Sequence, residues 1–122
     1  MKIAGIGFRT GAPLASLRDA LAQVEALGGI ADALATPQSK ADDPPLRALA
    51  AERGLRVFAV RVAGILTPTQ SARVLALHGT GSVAEAAALA AAGPVAKITV
   101  ARVVASDAMA TCAMAECEGT RE

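Results

Sequence analysis

What most constrains this chain is the order in which its hydrophobic patterns follow one another. Short apolar runs bounded by glycine or proline alternate with stretches whose apolar residues recur every three or four positions. The first kind fits buried strands and the second amphipathic helices. Residues 2–7 form the first strand. Residues 13–27 carry Leu14, Leu17, Leu21, Val24 and Leu27 at helical spacing. Pro13 opens that helix, Ser16 with Asp19 makes a weak capping box, and Gly28-Gly29 stops it. Residues 30–35 read as a second strand, with Asp32 its one polar intrusion. A polar, proline-bearing loop follows at 36–45, then a short helix at 46–53 ended by Gly54, then a third strand at 55–60. The alternation predicts an α/β fold: one domain over residues 1–122, mainly parallel sheet, with helices on both faces.

The second half is less regular. Residues 62–70 hold two threonines and a proline and read as an irregular crossover; 71–77 fit helix or strand. His78-Gly79-Thr80-Gly81 is a clear break. Residues 82–92 are almost all alanine, leucine and valine, a helix stopped by Gly93-Pro94. Runs at 95–104 and 108–115 predict closing strands, paired as an antiparallel hairpin around Ser106-Asp107. Residues 116–122 read as a frayed polar tail. Alanine supplies 31 of the 122 residues, and such small side chains let helices lie close on a sheet. A chain of this length buries roughly two-thirds of its unfolded surface, so it folds without disulfide or metal staples.

Composition excludes several functions. The aromatic residues are Phe8 and Phe58 alone, too few for a nucleobase-stacking platform. Twelve basic residues face eleven acidic ones, which leaves no basic footprint for nucleic acid and no polybasic membrane anchor. Charge-free stretches reach only 11 residues, short of the ~20 that a spanning helix needs. The first apolar run ends at Arg9, too early for a secretory signal, so the expected location is cytoplasmic. Cys112 and Cys117 have one histidine for company, too few ligands for a structural zinc site; reduced thiols are expected, with no metal and no cofactor.

In sheets of this type, ligands collect at the carboxyl ends of the strands, where two loops stand out. Gly5-Ile6-Gly7-Phe8-Arg9-Thr10-Gly11 leaves the first strand and enters the first helix. Its spacing is one residue too long for the dinucleotide fingerprint. It reads either as a tight turn with a solvated Arg9 or as an anion site using helix amides. Gly79-Thr80-Gly81-Ser82 opens the alanine-rich helix and has the chemistry of an amide nest, without the lysine of a nucleotide P-loop. Glu85, three residues after Ser82, either completes a capping box or faces a ligand. Lys40 beside Asp42 and Asp43 is either a surface ion cluster or a cation at the strand ends. His78 stands alone, with no assignable catalytic set.

With these residues in view, the chain resembles the cobalamin-biosynthesis family of CobE and the C-terminal domain of CbiG. Residues 5–11 look like that family's GIGCR-type loop and residues 40–43 like its K-x-D-E element. Residues 79–88, Gly79-Thr80-Gly81-Ser82-Val83-Ala84-Glu85-Ala86-Ala87-Ala88, look like its most specific segment, and Ser71-Ala72-Arg73-Val74 also fits. Phe8 stands where the family often has cysteine, Asp43 replaces the usual glutamate, and Arg102 stands where lysine is commoner. In two-domain relatives, lactone opening belongs to the other, N-terminal domain, which weakens a hydrolase reading here. The resemblance implies a role in the aerobic branch, on a corrin-precursor tetrapyrrole bearing many carboxylates, with other pathway enzymes as further partners. Substrate contacts are then expected from Gly7, Phe8, Arg9, Lys40, Asp43, Ser71, Gly79, Thr80, Gly81, Ser82 and Glu85. Three readings stay open: a protein that holds or passes on the intermediate, an enzyme acting on it through Glu85, Lys40 or His78, and a phosphate- or nucleotide-binding regulatory module.

Overall fold

The structure, a computed structural model, describes residues 1–65, 67 and 82–117. Five strands, β1 (Lys2–Phe8), β2 (Ala33–Pro37), β3 (Arg56–Val60), β4 (Lys97–Val104) and β5 (Ala110–Glu116), make one sheet in the order β3-β2-β1-β5-β4. Three α-helices accompany them: α1 (Leu14–Gly28), α2 (Pro44–Arg53) and α3 (Val83–Ala92), with a 3-10 turn at Gln38–Lys40. β1, β2 and β3 pair in parallel, whereas β5 is antiparallel to both β1 and β4. The expected α/β architecture holds. Its antiparallel part is wider than a terminal hairpin, because β5 inserts beside β1.

The pleat divides β1 between two cores. Ala4 and Ile6 face one side, where Leu17, Leu21 and Val24 of α1 and Leu46 and Leu49 of α2 close over them. Ile3 faces the other side, with Ala33, Ala35 and the alanines of α3. Each fully buried leucine or isoleucine contributes roughly 1.5–3 kcal/mol. Helices therefore lie on both faces. Neither phenylalanine is fully buried, and each carries a cation over its ring, Lys40 over Phe8 and Arg56 over Phe58.

The alanine-rich helix explains a glycine. A Cβ at Gly5 would lie 2.0 Å from the Ala84 carbonyl oxygen and 2.7 Å from the Ala88 nitrogen. α3 thus rests directly on the β1 backbone, which only glycine on the strand and alanine on the helix permit.

The bounds of four elements and one cap depart most from expectation. β2 begins at Ala33, not residue 30: the Asp32 carboxylate accepts the Lys2 amide at 2.7 Å, and the Asp32 amide donates to the Lys2 carbonyl. Asp32 thus ties the strand's approach and is no intrusion within it, and β2 runs on to Pro37. β4 begins at Lys97 rather than 95, because the Ala96 amide closes a turn onto the Gly93 carbonyl. β5 spans Ala110–Glu116, starting later and ending later than read, with Glu116 paired to both Lys2 and Lys97. α2 starts at Pro44, since Pro44 and Pro45 suit the first helical turn. Ser16 and Asp19 do not cap α1, whose cap position is Pro13 without a side-chain bond. Both reach instead to the β4–β5 turn. The segments expected at 62–70 beyond residue 65, at 71–77 and in the tail beyond 117 lie outside the described residues, residue 67 apart.

Candidate functional site

Because β5 is antiparallel to both neighbours, β4 runs in the same direction as β1, β2 and β3. Phe8, Pro37, Val60 and Val104 therefore end at one edge of the sheet. α1 and α2 start from the loops that leave β1 and β2 at this edge. α3 starts there too: its first residue, Val83, lies against Gly7, where a Cβ would sit 3.3 Å from the valine Cγ1. From β1 the chain moves outward to β2 and β3, then returns to fill the other side. Such a reversal point is where α/β sheets open a ligand crevice.

The first glycine loop has its turn at this point. The Arg9 amide donates to the Met109 carbonyl at 2.9 Å, and the Ala12 amide donates to the Arg9 carbonyl at 3.0 Å. Gly11 takes a φ of +87° with open space around its Cα, so its conformation rather than crowding calls for glycine. The three glycines of the motif thus serve the approach of α3 and this turn, and the turn presents Arg9 and Thr10 to solvent.

Lys40 arrives from the 3-10 turn after β2. Its Nζ sits 4.9 Å from the centroid of the Phe8 ring and donates to Thr10 Oγ1 at 3.3 Å. Asp42 pairs with Arg47 at 3.3 Å, so of the two readings of Lys40 its place is that of a cation at the strand ends. Asp43, half-buried, takes the cap position of α2 without a side-chain cap bond. Arg9 is exposed and its guanidinium has no partner among the described residues. The same holds for Arg61, the residue directly after β3, which sequence reasoning passed over. The signal was available: Arg61 follows its strand as Arg9 follows β1. The arginines on α1 and α2 are otherwise engaged. Arg18 grips Glu52 through two bonds of 2.7 and 2.9 Å. Arg53 meets Glu25 at 2.7 Å. Burial pushes the Glu25 carboxyl up, but the Arg53 guanidinium and the Ala31 amide outweigh it and hold the group below its ordinary value.

At the start of α3, Ser82 and Glu85 are both fully buried. The Ser82 hydroxyl accepts the Glu85 amide at 3.3 Å, which is half of the expected capping box. The Glu85 carboxylate instead accepts the Arg102 amide at 2.9 Å. Arg102 lies where the register of β4 against β5 slips between Val100 and Val103. A bulge leaves an amide outside the ladder, and Glu85 supplies its acceptor. Both residues thus hold the fold at the mouth of the second glycine loop.

The β4–β5 turn borders the same edge and is acidic. The Ser16 hydroxyl donates to Asp107, which also accepts the Met109 amide at 3.0 Å. Asp19 accepts the Ser106 amide at 2.6 Å and its hydroxyl at 2.9 Å. The Ser16 hydroxyl and then the Met109 amide hold Asp107 below the usual carboxylate range, and the Ser106 amide and hydroxyl do the same for Asp19. The edge thus carries Arg9, Lys40 and Arg61 after β1–β3, with Asp42 and Asp43 at the start of α2, and Asp19 and Asp107 at the β4–β5 turn.

Ser71, His78, Gly79, Thr80 and Gly81 lie outside the described residues. Among those described, no group of three or more potential metal ligands gathers. No helix there is long and apolar enough to cross a membrane. Cys112 is buried, and burial pushes its thiol far up, so it offers no nucleophile at neutral pH. A cavity of about 400 Å³ lined by Ile65, Leu89, Ala90, Gly93, Pro94 and Ala96 lies at the far end of α3, away from the cations, and carries no titratable group.

Residues 2–115 match the family described as Cobalamin synthesis G C-terminus. The chain belongs to that family. As a Cobalamin synthesis G C-terminus protein it takes its place in cobalamin biosynthesis. Its fold is that of CobE, a protein from the cobalamin (vitamin B12) biosynthetic pathway. The crystal structure of CobE gives a TM-score of 0.79 at 36% identity, over 94% of this chain and 89% of that one. Cobalamin biosynthesis protein chiG from Agrobacterium tumefaciens str. C58 gives 0.72 at 33% identity, over 97% and 99%. No curated protein matches the chain. Two of the three family-like motifs, residues 5–11 and 40–43, meet at the carboxyl edge of the sheet.

Proposed function

We propose that this protein binds a polycarboxylate corrin-precursor tetrapyrrole at the carboxyl edge of its sheet, holding or passing on an intermediate of cobalamin biosynthesis. The observation that carries this reading is the meeting of Arg9 with the Phe8–Lys40 pair at the strand-order reversal, with neither cation neutralised by a carboxylate among the described residues. Charge-assisted hydrogen bonds from these two side chains would take carboxylates of the ligand rim. Phe8 acts here mainly by seating Lys40, since the cation already covers one ring face and the core takes much of the rest. Asp43 enters as a contact from the start of α2, and Gly7, buried against Val83 and Thr111, serves by letting α3 approach. Ser71, Gly79, Thr80 and Gly81 enter as contacts on the family resemblance. Ser82 and Glu85, buried as they are, serve by fixing the start of α3.

Titration of the purified protein with cobyrinic acid, a corrin polycarboxylate, tests the reading by absorbance and mass. A stoichiometric complex is expected, weakened by salt and by Arg9→Ala, with the corrin unchanged in mass. Conversion of the corrin at substoichiometric protein would replace a carrier by an enzyme. Binding of ATP or inorganic phosphate without affinity for the corrin would make the edge a general anion module.

A further inference from the structure

We propose that Arg61 is a third anion anchor of this edge, and that the site takes the ligand off-centre, with carboxylates held across β1–β3 and the rim directed away from the β4–β5 turn. The inference rests on the function proposed above and adds to it a residue and an orientation. Arg9 follows β1, Lys40 stands in the turn after β2 with its ammonium reaching to Phe8 and Thr10 at the β1 end, and Arg61 follows β3. The strands are neighbours in that order. Adjacent strands lie about 4.8 Å apart, so β1 and β3 are separated by roughly 10 Å at this edge. A macrocycle with acids at intervals round its rim is met better by a row of separated cations than by a single point charge. Arg61 is exposed and has no intramolecular partner among the described residues. Its charge therefore has no structural duty there, unlike those of Arg18, Arg47 and Arg53, each bound to a carboxylate.

The orientation follows from the other half of the edge. Asp19 and Asp107 sit beside β4 and β5, and both are kept ionised by hydroxyl and amide donors. Like charges disfavour an anionic rim there, whereas on the β1–β3 side Asp42 is paired with Arg47 and three cations outnumber Asp43, which steers the carboxylates toward β3.

The test is calorimetric titration of Arg61→Ala with cobyrinic acid and with cobinamide, the related corrin whose rim is largely amidated, at low and at high salt. Lys97→Ala serves as the control, since it removes an exposed cation from the opposite edge. The expected result is a two- to fivefold weaker dissociation constant for cobyrinic acid at low salt, about what one exposed charge contact contributes. The salt dependence should flatten, with cobinamide binding and the Lys97 variant unchanged. Wild-type affinity in Arg61→Ala, with Arg9→Ala and Lys40→Ala weakened, would remove Arg61 from the site and leave the proposed function intact. No binding of cobyrinic acid by the unsubstituted protein would overturn that function itself.

Discussion

The Glu85 carboxylate accepts the Arg102 amide at 2.9 Å, joining residues seventeen positions apart. The contact fastens the first turn of α3 to the bulged part of β4. Glu85→Ala leaves that amide without its acceptor and opens a gap in a buried region. A loss of about 2–4 kcal/mol is expected from the two effects together. Glu85→Gln retains an acceptor oxygen and should lose less than half as much. Urea denaturation of the two variants measures the difference; equal losses would show that the charge, not the acceptor, matters.

Two glycines of one motif should fail for different reasons. Gly5→Ala sets a methyl 2.0 Å from the Ala84 carbonyl oxygen, so α3 must leave the strand. The variant is expected to lose more than about 3 kcal/mol or not to fold. Gly11→Ala meets nothing, but holds an L-residue at φ +87°, for about 1–2 kcal/mol. Denaturation midpoints order the pair.

Acid should weaken the β4–β5 turn through Asp107. Its folded pKa lies below its unfolded one, about 3.9, because the Ser16 hydroxyl and the Met109 amide favour the charged form. Its contribution is present above that value and fades as pH falls through the folded value. The urea midpoint of the unsubstituted protein should therefore decline below about pH 4. Asp107→Asn should start lower at pH 7 and decline less. Parallel curves for the two proteins would show that other carboxyls, such as Glu25, account for the acid response.

Burial of Cys112 predicts its chemistry. In a Cys117→Ser variant, a thiol reagent should label Cys112 only at the rate of global opening and rapidly in denaturant. Fast labelling of the folded variant would contradict the packing of β5.

Local patterns carried most of the fold. The leucine spacing of α1, the glycines after α1, α2 and α3, and the polar 36–45 loop all depend on neighbours in the chain, and the helices and their order follow from them. Ser16 and Asp19 show where that stops. Their three-residue spacing matches a cap, yet each is claimed by Ser106 or Asp107, about ninety residues away. Glu85 is similar, since its acceptor role arises from a bulge in β4 that no residue pattern marks. At the site, Arg9 and Lys40 were legible because they stand within recognisable motifs, whereas Arg61 offers only its place after a strand, which the sheet order turns into a position beside them.

The contact of Gly5 with α3 has a bearing on tolerance. Where Gly5 meets Ala84 and Ala88, the spacing of helix and strand is set by backbone atoms, with no side chain acting as an adjustable spacer. A substitution in the leucine-rich core opposite can be absorbed by rotamer changes, whereas one between β1 and α3 cannot. Divergence of this chain should therefore run on one side of its sheet and be arrested on the other.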